Sequence, residues 1–111
     1  MNMLEIKIND KDIKNKLNEI IDFVNKNNNM EIMVEFCNLK SFIGRSRLVR
    51  IYIEKDKNKK YYIHYKIWHP GGFYNGTIYR EWVIGEGEYY RNNKKDILDI
   101  VKRIIITAVN Y

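Results

Sequence analysis

Hydrophobic and polar residues alternate along short stretches of the chain, which is the pattern of β-strands that bury one face. The first stretch covers residues 3–8, where Leu4, Ile6 and Ile8 share a face opposite charged residues. The four later strand candidates are Met30–Asn38, Ser46–Glu54, Tyr61–Trp68 and Thr77–Ile84. The facing of the last one stays open, because both of its sides carry an aromatic and a charged residue. Short turn-like segments join these four, so we expect antiparallel hairpins.

Two segments instead repeat their hydrophobic residues every three or four positions, as amphipathic helices do. The first has an apolar stripe from Ile13 to Val24, and the second runs from about Lys94 to Val109. Candidate N-terminal caps are Asn9 or Asp10 for the first helix and Asn92 or Asn93 for the second. Ile106 falls on the polar side of the second helix, either as an isolated exposed residue or as part of a contact surface.

The resulting order of elements is β-α-β-β-β-β-α. Each helix has one apolar stripe to bury, and a sheet of alternating strands has one apolar face to receive it. We therefore predict an α+β fold, a two-layer sandwich with a mainly antiparallel sheet and both helices on one face. The opposite face of the sheet is then left to solvent or to a partner. Gly85 and Gly87 mark a bend or a bulge before the last helix.

The composition supports one folded domain spanning residues 1–111. Hydrophobic residues make up 45% and charged residues 31% of the chain, a balance suited to a single packed core. No apolar stretch approaches the roughly 18 residues needed to span a bilayer, and residues 1–16 are too charged for a signal peptide. The single cysteine, Cys37, excludes a disulfide within the chain and a thiolate zinc cluster. We expect a cytoplasmic protein with no membrane partner.

Positive charge and aromatic side chains are concentrated in the second part of the chain. Residues 1–44 carry six lysines against seven acidic residues, whereas residues 45–111 carry fourteen basic residues against seven acidic ones. All nine tyrosines and both tryptophans lie beyond position 50. The outward face of the central hairpin is predicted to present Arg50, Tyr52, Tyr62, His64, Lys66 and Trp68 together. With Arg47 and Arg80, these six are the candidate binding residues.

Aromatic rings beside basic side chains suit a sheet on which bases stack while lysine and arginine meet phosphates. The same residue types are also enriched in protein interfaces. We therefore expect a small non-enzymatic binding or inhibitor protein whose partner is a nucleic acid, a nucleoprotein complex or an acidic protein surface. Eighteen isoleucines, 14 asparagines and 14 lysines against one alanine indicate a low-GC genome or its phages. That origin suits an inhibitor of the anti-CRISPR kind.

Two other functions fit the same residues. A metal-independent ribonuclease toxin of the mRNA-interferase type needs one group to activate the 2′-hydroxyl and others to stabilise the charge on phosphorus. The candidates for these roles are His64, Lys66, Tyr79 and Arg80. A structural homodimer would instead use the aromatic face or Ile106 as its subunit interface.

Metal and cofactor chemistry finds little support in the sequence. His64 and His69 are the only histidines, and no HExxH, CxxC or acidic calcium-binding motif occurs. Residues 85–88, Gly-Glu-Gly-Glu, would direct carboxylates at a phosphate, which is the wrong charge for a phosphate-binding loop. Residues 5–7, Glu-Ile-Lys, match the E-x-K segment of metal-dependent nucleases, but no second acidic residue is evident nearby. We expect no metal site and no cofactor.

Overall fold

The computed structural model describes residues 1–9, 11–37, 47–74 and 76–110. It shows an α+β fold with a five-stranded sheet, a two-stranded hairpin and two helices. The elements in chain order are β1 (Asn2–Ile8), α1 (Ile13–Lys26), β2 (Met30–Phe36), β3 (Arg47–Lys55), β4 (Tyr61–His69), β5 (Gly72–Tyr74), β6 (Thr77–Tyr79), β7 (Trp82–Arg91) and α2 (Lys94–Asn110). Apart from the short β5–β6 hairpin, this is the predicted order. The predicted strand ends Asn38 and Ser46 lie outside the described residues.

The strands of the main sheet lie in the order β1-β2-β3-β4-β7. β1 and β2 are parallel, as expected for two neighbouring strands that a helix connects as a crossover. The other three neighbouring pairs are antiparallel. Both helices pack on one face of this sheet. The predicted two-layer arrangement with a mainly antiparallel sheet is therefore confirmed.

The hydrophobic core lies between the helices and one face of the sheet. Alternate residues of β2, β3 and β4 enter it, for example Val49, Ile51 and Ile53 of β3, which are fully buried. α1 contributes Ile20 and Val24. The buried residues of α2 are Ile97, Ile100, Val101, Ile104, Ile105 and Ala108. Each large aliphatic side chain removed from water in this way contributes about 1.5–3 kcal/mol, so this contact holds the two layers together.

The last sheet strand differs from its prediction. Residues 77–84 are predicted as one strand, but they are divided between β6, which pairs with β5, and the start of β7. The register between β4 and β7 shifts at Ile84, which lies unpaired between Val83 and Gly85. Such a bulge changes which residues face each side of the sheet. The glycines therefore mark a bulge within β7 and not the end of a strand.

The helix caps are only partly those predicted. Asn93 caps α2, because its Oδ1 accepts a hydrogen bond from the Asp96 amide at 2.9 Å. α1 follows Asp12, which makes no side-chain cap, while Asn9 accepts a hydrogen bond from the Asp12 amide in the preceding turn. Asp10 lies outside the described residues. Within the described part of the chain, no helix combines the length and the apolar character needed to cross a membrane.

Candidate functional site

The main sheet has a helix-free face, formed by the strand side chains that point away from α1 and α2. Cross-strand pairing aligns these side chains in rows that run from β1 to β7. One row contains Met3, Glu31, Tyr52, His64 and Glu88, and the next contains Glu5, Met33, Arg50, Lys66 and Glu86. A third row contains Lys7, Glu35, Leu48, Trp68 and Val83, while Glu54, Tyr62 and Tyr90 form a shorter fourth row. Neighbours within a row are close enough for direct contact.

Six of the eight candidate binding residues lie together on this helix-free face. They come from the adjacent strands β3 and β4, where Tyr52 is opposite His64 and Arg50 is opposite Lys66. Their positions follow from the alternation of side chains along each strand. The six residues are Arg50, Tyr52, Tyr62, His64, Lys66 and Trp68.

The other two candidates, Arg47 and Arg80, do not belong to this face. Arg47 has the same strand parity as Val49 and Ile51, so its side chain enters the core and is fully buried. Its guanidinium donates a hydrogen bond to the backbone carbonyl of Ala108 near the end of α2. Arg80 is exposed in the connection between β6 and β7, outside any strand. Both were predicted as binding residues beside the six on the face, and the structure does not bring either of them to it.

Each basic side chain of the helix-free face has a glutamate nearby. Arg50 Nε lies 3.1 Å from a carboxylate oxygen of Glu31 on the neighbouring strand. His64 Nε2 on β4 lies 3.4 Å from a carboxylate oxygen of Glu86 on the neighbouring strand β7. Two looser pairs, each at 3.9 Å, are Lys7 with Glu35 and Lys66 with Glu81. The side chains of Arg50, Lys7 and Lys66 therefore meet carboxylates before they can meet a ligand.

The helix-free face carries a net negative charge. The described strands place six glutamates on it against three basic residues, Lys7, Arg50 and Lys66, although the whole chain has a net charge of +6. The sequence interpretation expected a basic face, because β3 and β4 alone supply mostly basic side chains. Pairing with β1, β2 and β7 adds five further glutamates to the face. The expectation of a basic face is therefore wrong.

Three tyrosines form a cluster at one end of this face. The Tyr62 ring centroid lies 6.5 Å from that of Tyr52 and 5.1 Å from that of Tyr90. The Tyr62 hydroxyl donates a hydrogen bond to Glu88 at 2.7 Å, which raises the pKa of Tyr62 to about 12. Burial and the neighbouring Glu54 raise the pKa of Tyr52 as well. Both hydroxyls are therefore held as protonated donors, which is unfavourable for a general base.

The sequence interpretation missed three members of the site on β7. They are Tyr90, Glu86 and Glu88. Tyr90 is 64% exposed and is the most exposed member of the tyrosine cluster. Its side of the sheet depends on the bulge at Ile84, and the predicted strand ended at Ile84, before Tyr90 is reached. The pair Gly85 and Gly87 was the only signal of that bulge.

The four residues proposed for ribonuclease activity are only partly brought together. His64 and Lys66 share the helix-free face on β4, each with a glutamate nearby. Arg80 lies outside the sheet, and the side chain of Tyr79 lies outside the described part of the chain.

Ile106, the other candidate for a contact surface, is 52% exposed on α2, on the opposite side of the molecule from this face.

Comparison with known proteins leaves the site to be interpreted from its own chemistry. No family model, no curated protein and no solved structure matched the chain. Within the described residues, no three histidine, cysteine, aspartate or glutamate side chains are grouped so that they could hold a metal ion.

Proposed function

We propose that this protein is a non-enzymatic binding protein that docks onto a basic protein surface through its helix-free face. The observation that carries the proposal is the composition of this face, which combines six glutamates with half-buried aromatic side chains and the exposed side chains of Tyr90 and Met3. The basic surfaces that this face would complement are typical of proteins that bind nucleic acids. The expected binding function is kept, but the proposed partner surface is basic, whereas the sequence analysis expected an acidic surface or a nucleic acid.

The ion pairs favour a protein partner over a nucleic acid strand. Tight phosphate binding needs lysine and arginine side chains that replace counterions along the strand. On this face Arg50 is within 3.1 Å of Glu31, and Lys66 is within 3.9 Å of Glu81. A strand laid across the rows would also approach Glu86 and Glu88, which repel phosphate. A basic protein surface meets the same glutamates with favourable Coulomb energy.

The apolar part of the face suits the centre of a protein interface. Tyrosine, tryptophan and arginine supply most hot-spot residues, because they bury a large area and also form hydrogen bonds. Tyr62, Tyr90, Trp68 and Arg50 provide these groups on neighbouring strands. Met3, which is 54% exposed, adds a flexible apolar side chain at the edge.

A binder of this kind has a direct route to inhibition. By covering the basic surface of a nucleoprotein complex, it would compete with the nucleic acid that the surface normally holds. A phage or mobile-element inhibitor of the anti-CRISPR kind could act by this competition. The single cysteine is in keeping with a cytoplasmic place of action, where structural disulfides are rare.

The testing experiment is an affinity capture that separates protein partners from nucleic acid. The tagged protein is incubated with an extract of a low-GC bacterium, with and without nuclease, and the retained molecules are identified. We expect one defined basic protein to be retained in a stoichiometric amount after nuclease treatment. Retention of nucleic acid alone, which nuclease removes, would contradict the proposal.

A pair of charge-reversal variants then assigns the captured partner to the helix-free face. E86K/E88K reverses two charges on this face, whereas E19K/D22K reverses two exposed charges on α1. Like charges across an interface cost several kcal/mol, so we expect E86K/E88K to reduce capture about tenfold or more. The α1 variant should capture as much as the wild type. Equal loss in both variants would show that the contact lies elsewhere.

A further inference from the structure

A cleft lies on the helix side of the molecule, where the edge strand β7 and its neighbour β4 pack beside α2. Its volume is about 190 Å³. Three isoleucines, Ile67, Ile100 and Ile104, supply apolar lining from β4 and α2, and polar side chains from β7 and α2 line it as well. This cleft is separate from the helix-free face, because it opens on the opposite side of the sheet.

One wall of the cleft is a pair of parallel tyrosine rings. The rings of Tyr65 and Tyr89 lie 6.2 Å apart with an interplanar angle of 4°. Burial and the neighbouring Tyr89 raise the pKa of Tyr65. Gly87 makes room for this arrangement, since a Cβ atom there would lie only 3.0 Å from Cε1 of Tyr65. The wall is therefore held in place before any ligand arrives.

Two arginines from different elements also line the cleft. The guanidinium carbon of Arg91 lies 5.2 Å from the centroid of the Tyr89 ring, and Nη1 donates to the Tyr90 carbonyl at 2.7 Å. Arg103 projects from α2, and Thr107 follows it one turn later on the same side. Among the described residues, no carboxylate lies within 4.0 Å of either guanidinium, although Asp99 precedes Arg103 by one turn. The two charges are therefore available to an anion.

We propose that this cleft binds a small phosphorylated ligand with a planar ring, of the nucleoside monophosphate class. The ring packs between the isoleucines and the exposed tyrosine Tyr89, while the phosphate accepts hydrogen bonds from Arg91, Arg103 and the Thr107 hydroxyl. Two guanidinium groups and a hydroxyl match the several acceptor oxygens of a phosphate. The volume lies below the roughly 300–1,000 Å³ of pockets for drug-sized ligands, so one ring fits and the phosphate stays at the rim.

The proposal is independent of the docking function, since no residue is shared between the cleft and the helix-free face. The test is a titration of the ¹⁵N-labelled protein with AMP, UMP, adenosine and inorganic phosphate. We expect saturable shifts of the Tyr65, Tyr89 and Thr107 amide resonances with a monophosphate, and weaker binding of adenosine and of phosphate alone. No saturable shift at millimolar AMP or UMP would overturn the proposal.

Matched charge variants separate a built site from general attraction. R103Q removes a guanidinium from the cleft, and K102Q removes an exposed positive charge from the preceding residue, which does not line the cleft. Loss of a charge-assisted hydrogen bond predicts about tenfold or more weaker binding for R103Q, with little change for K102Q. Equal weakening in both would overturn the proposal. Binding of an RNA oligonucleotide without binding of any monophosphate would also overturn it, in favour of a strand-binding surface.

Discussion

The ammonium group of Lys94 donates a hydrogen bond to the backbone carbonyl of Val24 at 2.8 Å. The same group donates a second hydrogen bond to the carbonyl of Asn27. The first residue of α2 therefore binds carbonyl groups at the C-terminal end of α1. The last carbonyls of a helix lack partners within the helix and carry partial negative charge, which favours a cation there. Burial and the nearby Lys55 lower the pKa of Lys94. The side chain therefore joins the two helices beyond their apolar contact.

The variant K94M tests this connection. Methionine keeps an apolar stem of similar length but removes both hydrogen bonds, so the free energy of unfolding should fall by about 1–3 kcal/mol. Urea denaturation gives this value directly. The control is K95M, which changes the exposed neighbouring lysine and should alter stability by less than about 0.5 kcal/mol. Equal effects of the two variants would show that the Lys94 hydrogen bonds contribute little.

Replacement by alanine is expected to reduce stability far more at Arg47 than at Arg50. R47A leaves a cavity in the core and removes the hydrogen bond to Ala108, so the free energy of unfolding should fall by about 2–5 kcal/mol. R50A breaks an exposed ion pair with Glu31 and should cost less than about 1 kcal/mol. The same R50A variant should weaken capture of the protein partner. A stable R47A protein would contradict the core role of Arg47.

Gly87 is expected to be intolerant of a side chain. In G87A the new Cβ would lie 3.0 Å from the Tyr65 ring, so the ring or the strand must shift, at a cost of about 1–3 kcal/mol. G85A is the matched control, since its nearest contact would be Ile67 Cδ1 at an ordinary 3.8 Å. Urea denaturation of both variants measures the difference. A G87A protein as stable as G85A would show that the Tyr65 ring moves at no cost.

Ionisation of Tyr62 is expected to be delayed by its hydrogen bond to Glu88. The pKa of Tyr62 in the folded protein, about 12, lies above its ordinary value of 10.0. The stabilising contribution is therefore complete below pH 10 and is lost as the pH rises toward 12. Titration of tyrosinate absorbance should show a late transition that is absent in Y62F. In E88Q this transition should move to lower pH, whereas E86Q should leave it in place.

The proposal that the protein acts without catalysis can be tested directly. Because the protein is proposed to act by stoichiometric binding, RNA incubated with it in EDTA should stay intact, with no difference between the wild type and H64A/K66A. Gel analysis of a labelled transcript measures this. Multiple-turnover cleavage that H64A/K66A abolishes would support the ribonuclease alternative and contradict the proposed function.

Local patterns were sufficient for most of the fold. The alternation in residues 3–8 and in the central hairpin identifies the strands, since a side chain's face within one strand depends only on its position parity. The spacing from Ile13 to Val24 identifies α1 in the same way. Gly85 and Gly87 indicated a bend or a bulge, but its position at Ile84 could not be predicted, because it depends on how β7 pairs with β4, a strand that ends 13 residues earlier in the chain.

The sequence by itself determined the β-α-β-β-β-β-α order of the main elements, the apolar core positions and the grouping of Arg50, Tyr52, Tyr62, His64, Lys66 and Trp68 on one face. Only the tertiary structure decided the charge of that face. Glu31 reaches Arg50 from a neighbouring strand, and Glu88 reaches Tyr62 from another. These contacts depend on strand order and register, which arise from packing between distant segments and leave no periodic pattern in the chain.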